Sequence, residues 1–196
     1  MGLVAQVRAG LERHVPGDER EARSKVAVLD ALARLRSPFD EHAASEHVTA
    51  SALVVGARGT VLHMHKRLGR WLQPGGHVEA GEAPWEAAWR EATEETGLAL
   101  DHPPGGPRLI HVDVHEAARG HVHLDLRYLL LGDGRDPVPG PGESPEARWF
   151  GWDRALAVAD VALVGALRSA AAQPEARSCA PPGPGHNGVP PDMMGA

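Results

Sequence analysis

The stretch GHVEAGEAPWEAAWREATEETGL, residues 76–98, decides the reading of this chain. Pro84 suits the first turn of a helix and Gly97 suits its end. Between them Trp85, Ala88, Trp89 and Ala92 recur at i, i+3, i+4 and i+7, which makes one apolar face. Glu91, Glu94 and Glu95 crowd the last turns beside that face, on one arc at about 100° per residue. Like charges three and four apart repel, and the C-terminal end of a helix disfavours anions. A bound divalent cation removes both penalties, because a hard cation such as Mg²⁺ takes oxygen ligands. A solvated acidic face is the plainer explanation for an isolated Glu-Glu pair, but not for this whole pattern.

Outward from the helix, a loop (LGRWLQPGG) precedes the stretch. Before it, VTASALVVG at 48–56 and TVLHMHK at 60–66 read as two strands around an Arg58-Gly59 turn. After the helix, RLIHVDVH at 108–115 and HVHLDLRYLLL at 121–131 read as two more strands joined by EAARG. A Gly/Pro loop covers 132–145, a short strand 146–151 and a single long helix 152–172. Residues 3–14 and 18–36 read as helices. The second has Asp18 as its N-cap and Val26, Leu29, Leu32 and Ala33 toward the core. Three segments result: a helical extension over 1–46, a domain over 47–173, and a Pro/Gly-rich tail over 174–196 expected to be disordered.

The spacing of the central stretch is specific. Gly76, five residues, Glu82, seven residues, Arg90-Glu91, Ala92, one residue, Glu94-Glu95, one residue, Gly97 and Leu98 match the Nudix box at every position. The chain therefore resembles the Nudix hydrolase superfamily (MutT-like). Outside the box, HVTASALVV, HKRLGRWLQPGGHVEAGE and HVHLDLRYLL look like a subgroup with a helical N-terminal extension and unsettled substrate. The resemblance covers roughly 47–170. It implies an α/β fold, the Nudix α/β/α sandwich with a mixed sheet, with the N-terminal helices added. It also implies hydrolysis of a pyrophosphate bond in a nucleoside diphosphate linked to another group, with Mg²⁺ or Mn²⁺ as cofactor. By the same resemblance Glu91, Glu94, Glu95 and the carbonyl of Gly76 look like the metal ligands, Arg90 orients the glutamates, and Glu82 structures the loop. The general base stays open between a box glutamate and a later loop acid, Glu143 or Glu146.

Other residues carry weaker signals. His63, His65, Lys66, Arg67 and Arg70 form a basic cluster before the box, and the two arginines are the better phosphate ligands because a guanidinium binds bidentately. Ordinary surface charge explains the cluster equally well. His121, His123 and Asp125 share one face of a strand, and His111, Asp113 and His115 repeat the pattern on the strand before. Such rows could touch substrate or hold a metal, but the sequence places no third nitrogen ligand. A polar strand face is the preferred reading. His77 lies in the box loop and can face the site. The tryptophans and Tyr128 are assigned to packing.

Composition narrows the alternatives. The formal net charge of -6 argues against nucleic acid as a partner. No stretch of about eighteen apolar residues predicts a membrane span, no secretory signal is read at the N-terminus, and one cysteine, Cys179, excludes an intrachain disulfide. A cytoplasmic setting is expected, with a small-molecule diphosphate as partner. The N-terminal helices are available for a homodimer contact or for regulation. Two other functions stay in view. A non-catalytic nucleotide-binding module would be favoured by loss of box glutamates, and none is lost. An isopentenyl-diphosphate-isomerase-like enzyme would use a cysteine near the start of the domain, whereas Cys179 sits in the tail.

Overall fold

The computed structural model describes residues 1–178. Cys179 and the remainder of the proline-rich tail lie outside the described residues.

Helices α1 (Leu3–Arg13) and α2 (Glu19–Arg34) lead into β1 (Glu46–Gly56) and β2 (Gly59–His65). Two short strands follow, β3 (Arg70–Leu72) and β4 (Gly75–His77), where a plain loop was expected. Then come α3 (Pro84–Thr96), β5 (Leu100–Asp101), β6 (Leu109–Glu116), β7 (Val122–Gly132) and β8 (Ala147–Phe150). Helices α4 (Trp152–Val158), α5 (Val161–Ala171) and α6 (Pro174–Ser178) close the described chain. No helix among the described residues is long and apolar enough to cross a membrane.

The sheet is mixed, as the resemblance implies. β1 and β7 run parallel at its centre, in register from Glu46↔Val122 to Val55↔Leu131. All other pairings are antiparallel. On its other edge β1 pairs first with β4 (Thr49↔His77 to Ser51↔Gly75) and then with β2 (Val55↔Thr60). Side chains alternate across the sheet. Val48, Ala50, Ala52 and Val54 of β1, with Leu124, Leu126 and Leu130 of β7, join the core shared with α1, α2 and α3. Leu53, Val55 and Leu129 point the other way, into the core beneath α4 to α6. That second face changes character along its length. Register places His47 beside His123, Thr49 beside Asp125 and Ser51 beside Arg127, before Leu53 meets Leu129.

Local physics accounts for the helix ends. Asp18 accepts from the Glu21 amide at 2.9 Å, capping α2 as expected. Gly97 ends α3 in the left-handed region at φ 65, where a side chain would also strike the Val138 carbonyl. The single helix expected over 152–172 is two, because Asp160 accepts from the amides of Ala162 and Leu163 and starts a new helix. The tail expected to be disordered from Pro174 instead begins with α6, whose Ala176 is buried and whose Glu175 meets Arg108 at 3.0 Å.

The buried face of α2 is rotated from the expected one. Val28, Ala31 and Leu32 are buried together with Glu21 and Ser24, while Val26 is 58% exposed. Glu21 explains the shift. Its carboxylate accepts from the Val112 amide of β6 at 3.0 Å and from the Gly17 amide at 2.6 Å, and it meets His14 Nε2 at 2.6 Å. Burial alone would raise its pKa; the contacts with His14 and Gly17 outweigh burial and hold it below the ordinary value. Beside it Arg20 donates to Asp113 of β6 at 2.7 Å. These polar ties and the shared core dock the N-terminal helices on the sheet. Glu21→Gln should therefore lower unfolding stability by about 1–3 kcal/mol, since it leaves buried donors facing an amide. Urea denaturation checks this, and an unchanged midpoint would show that the tie contributes nothing.

Candidate active site

The box helix α3 carries its apolar face, with Ala87, Ala88 and Ala92 buried, against β1 and β7. Trp89 lies at the edge of this packing, within the expected range of core or core edge. It stands 42% exposed at the margin and donates its indole N–H to the Leu100 carbonyl at 2.7 Å. The other tryptophans do pack. Trp71 meets Phe150 edge-on under the Arg148 guanidinium, and Trp149 is buried with its N–H on Arg135 O.

Glu91 and Glu95 turn from α3 toward β4, and Glu94 stays nearer solvent. The Gly75 amide donates to Glu95 at 2.9 Å. The Glu91 carboxylate lies so close over Gly76 that any side chain there would displace it. Arg90 holds the group together. It donates to both Glu82 oxygens at 3.0 and 3.1 Å, to Glu91 at 2.9 Å, to Glu94 at 3.3 Å and to the His77 carbonyl at 3.0 Å. Glu86, four residues before Arg90 on the same helix, accepts from the Ala83 amide at 2.8 Å and closes the first turn.

The electrostatics leave this group short of positive charge. Burial is the main reason that Glu95 is pushed up to about 8; the Gly75 amide opposes the rise, and Glu91, Glu143 and Glu94 add to it. Burial likewise raises Glu91, against the lowering effect of Arg90. One guanidinium does not neutralise this many carboxylates. The donors are oxygens, the hard set that Mg²⁺ or Mn²⁺ prefers, so the residues fit such an ion.

A broad cleft runs past Gly76, Arg90 and Glu91 to His77, His121, His123 and Asp125. A smaller pocket brings Glu95 and Glu143 together with His63, His65, Lys66 and Arg67. Of the basic cluster, His63, His65 and Arg67 line both, and Lys66 is tied to the Gly142 carbonyl. His63 is not part of a positive edge. It is buried, and desolvation lowers its pKa to about 4, so it stays neutral 3.4 Å from Glu95. Arg70 lies apart, 3.6 Å from Asp160. Glu146 is paired with Arg148 at 2.8 Å and lines neither recess.

The two histidine strands do pair, with His115 opposite His123 and Asp113 opposite Asp125. Asp125 accepts from Thr49, Ser51 and Arg127, and Arg127 also reaches Asp113 at 3.3 Å. The sequence reading missed His47. It opens β1 just before the apolar run, and only the parallel register sets it beside His123.

Glu95 yields a prediction for protein held in chelator. Its folded pKa of about 8 exceeds the ordinary 4.5, so between those values the folded state keeps a proton that the unfolded chain has lost. Stability then falls as pH rises through that window and levels off above it. Denaturant midpoints should show this decline, Glu95→Gln should flatten it, and Mg²⁺ should restore stability at the alkaline end. An identical profile in the variant would contradict the assignment.

Comparison with known proteins agrees with this architecture. The NUDIX domain model matches residues 45–167. The asymmetrical bis(5'-nucleosyl)-tetraphosphatase of Caenorhabditis elegans is 32% identical over 101 residues, 50% of this chain and 70% of that protein. The isopentenyl-diphosphate Delta-isomerase of Streptomyces griseus is 30% identical over 136 residues, 64% of this chain and 65% of that protein. Among solved structures, a NUDIX-family hydrolase from Clostridium perfringens superposes with a TM-score of 0.54 at 29% identity, over 63% of this chain and 95% of that one. With a complete box on the expected helix and a family model spanning the central sheet, this chain belongs to the Nudix family of hydrolases, enzymes that cleave phosphorus-containing anhydrides.

Proposed function

We propose that this protein is a Mg²⁺-dependent hydrolase, with Mn²⁺ as a substitute, of a nucleoside diphosphate linked to another moiety. The observation that carries the reading is the half-buried pair Glu91 and Glu95, raised in pKa against Gly75 and Gly76 and left short of positive charge. Glu91, Glu94, Glu95 and the Gly76 carbonyl are the groups assigned to hold the cation. When bound, the cation supplies charge neutralisation at the phosphoryl oxygens and lowers the pKa of coordinated water. Arg90, clamped by Glu82, keeps the carboxylates oriented by charge-assisted hydrogen bonds. Arg67 borders the recess and can take a phosphate oxygen.

In the reaction, water adds to one phosphorus of the P–O–P link and the bridging oxygen leaves on the other phosphate. The proton from water passes to a carboxylate. Glu143 is assigned that role over Glu146, because it shares the small pocket with Glu95 whereas Glu146 is paired with Arg148. The relative from C. elegans is named for a dinucleoside tetraphosphate and the one from S. griseus for isopentenyl diphosphate. A screen should therefore include dinucleoside polyphosphates, nucleoside triphosphates, ADP-ribose, sugar nucleotides and prenyl diphosphates, each with Mg²⁺ and with Mn²⁺.

Metal-dependent phosphate release is the expected outcome for a nucleotide substrate. Glu94→Gln and Glu95→Gln should each lower kcat by at least about 10²–10³-fold, with thermal unfolding still cooperative. Full activity in either variant would refute its ligand role. Tight nucleotide binding without turnover would indicate a binding module, and double-bond migration in a prenyl diphosphate would indicate an isomerase.

A further inference from the structure

We infer that His47, His77 and His123 form a second metal site, for a borderline divalent cation such as Zn²⁺, separate from the oxygen donors of the box. The three residues come from β1, β4 and β7, and one ligand atom from each lies within 4.8 Å of the other two. Their rings make a near-equilateral triangle, with centroids 5.2 Å apart for His47 and His77, 5.1 Å for His47 and His123, and 5.3 Å for His77 and His123. A tetrahedral ion with metal–nitrogen bonds of about 2.0–2.1 Å places the centroids of its imidazole ligands roughly 5 Å apart, so this triangle has the right size.

The protonation pattern also fits. His47 is fully buried, and its Nδ1 lies 3.3 Å from the Ala44 carbonyl. With the proton on Nδ1, the lone pair is on Nε2, and Nε2 is buried without any hydrogen-bond partner. A ligand histidine commonly donates its other N–H to a backbone carbonyl in this way. An orphaned buried nitrogen is otherwise a net penalty. Burial, with help from His115, His77 and His47, lowers His123 to about 4, so it too offers a free lone pair at neutral pH. The Glu41 carboxylate lies 3.4 Å from His77 Nε2 and brings negative charge to the rim.

Imidazole donors select Zn²⁺ and its neighbours over Mg²⁺. Three protein ligands leave one tetrahedral position for water or an anionic oxygen. His77 and His123 line the cleft that also passes Glu91, so an ion here would stand in the same recess as the box. Bound metal would also join the short strand β4 to the central pair β1 and β7.

The test uses the full-length protein stripped with chelator, then titrated with Zn²⁺ and with Co²⁺ in excess Mg²⁺. Wild type, Glu95→Gln, His123→Gln and His77→Ala are compared. One equivalent of Zn²⁺ is expected in wild type and in Glu95→Gln, with a rise in Tm and the intense visible bands of four-coordinate Co²⁺. Each histidine variant should lose at least about tenfold in affinity. The His77 side chain is 41% exposed, so its variant tests the site without opening the core. Uptake unchanged in both histidine variants means adventitious binding and overturns the site, and so does loss of uptake in Glu95→Gln. Hydrolysis is not the readout, so failure here is distinct from failure of the proposed activity.

Discussion

Ten consecutive pairs tie β1 to β7 in parallel, and the site depends on that one ladder. Parallel strands are adjacent only when a long connection returns the chain, and here α3 lies within that connection. The ladder buries its apolar residues on both faces. Along the face toward α5 it also sets His47, Thr49 and Ser51 beside His123, Asp125 and Arg127. One half of that face is core and the other half is polar wall. β4 joins β1 along the polar half, which brings Gly75 and Gly76 under the carboxylates of α3.

Charge is confined rather than spread. Arg90 is the centre of the box and binds three glutamates and a backbone carbonyl, so its own proton is held more firmly than in water, chiefly by Glu82. It still leaves Glu95 undercompensated, in a recess whose oxygen donors are of the kind a hard cation takes. A few residues away the polar wall uses the opposite chemistry, with neutral imidazoles crowded so that burial keeps them unprotonated. The recess thus offers two donor sets of different softness. The buried Asp113–Arg127–Asp125 chain belongs to the same wall and ties it to α5 through the Ala162 carbonyl.

Much of this was legible in the chain. The box spacing located α3, its glutamates and Arg90, because a helix converts sequence intervals into angles without help from the rest of the fold. Asp18 and Gly97 marked helix ends for equally local reasons. The strands of the central sheet were visible too, β1 as a β-branched, apolar run and β7 as an alternating one that turns apolar. The errors share one cause. Apolar counting misphased α2, since the residue that anchors it is a glutamate. It also merged α4 with α5, because Asp160 acts through a cap rather than through hydrophobicity.

Local order therefore came from residue spacing: the acidic arc of α3, the caps and the alternation of each strand. Which distant residues meet was decided by register. Nothing near His47 distinguishes it from any histidine at the start of a strand, and His123 sits 76 positions later. They become neighbours because a parallel ladder pairs residues by hydrogen bonding across the sheet, and the interval between them along the chain carries no trace of that pairing.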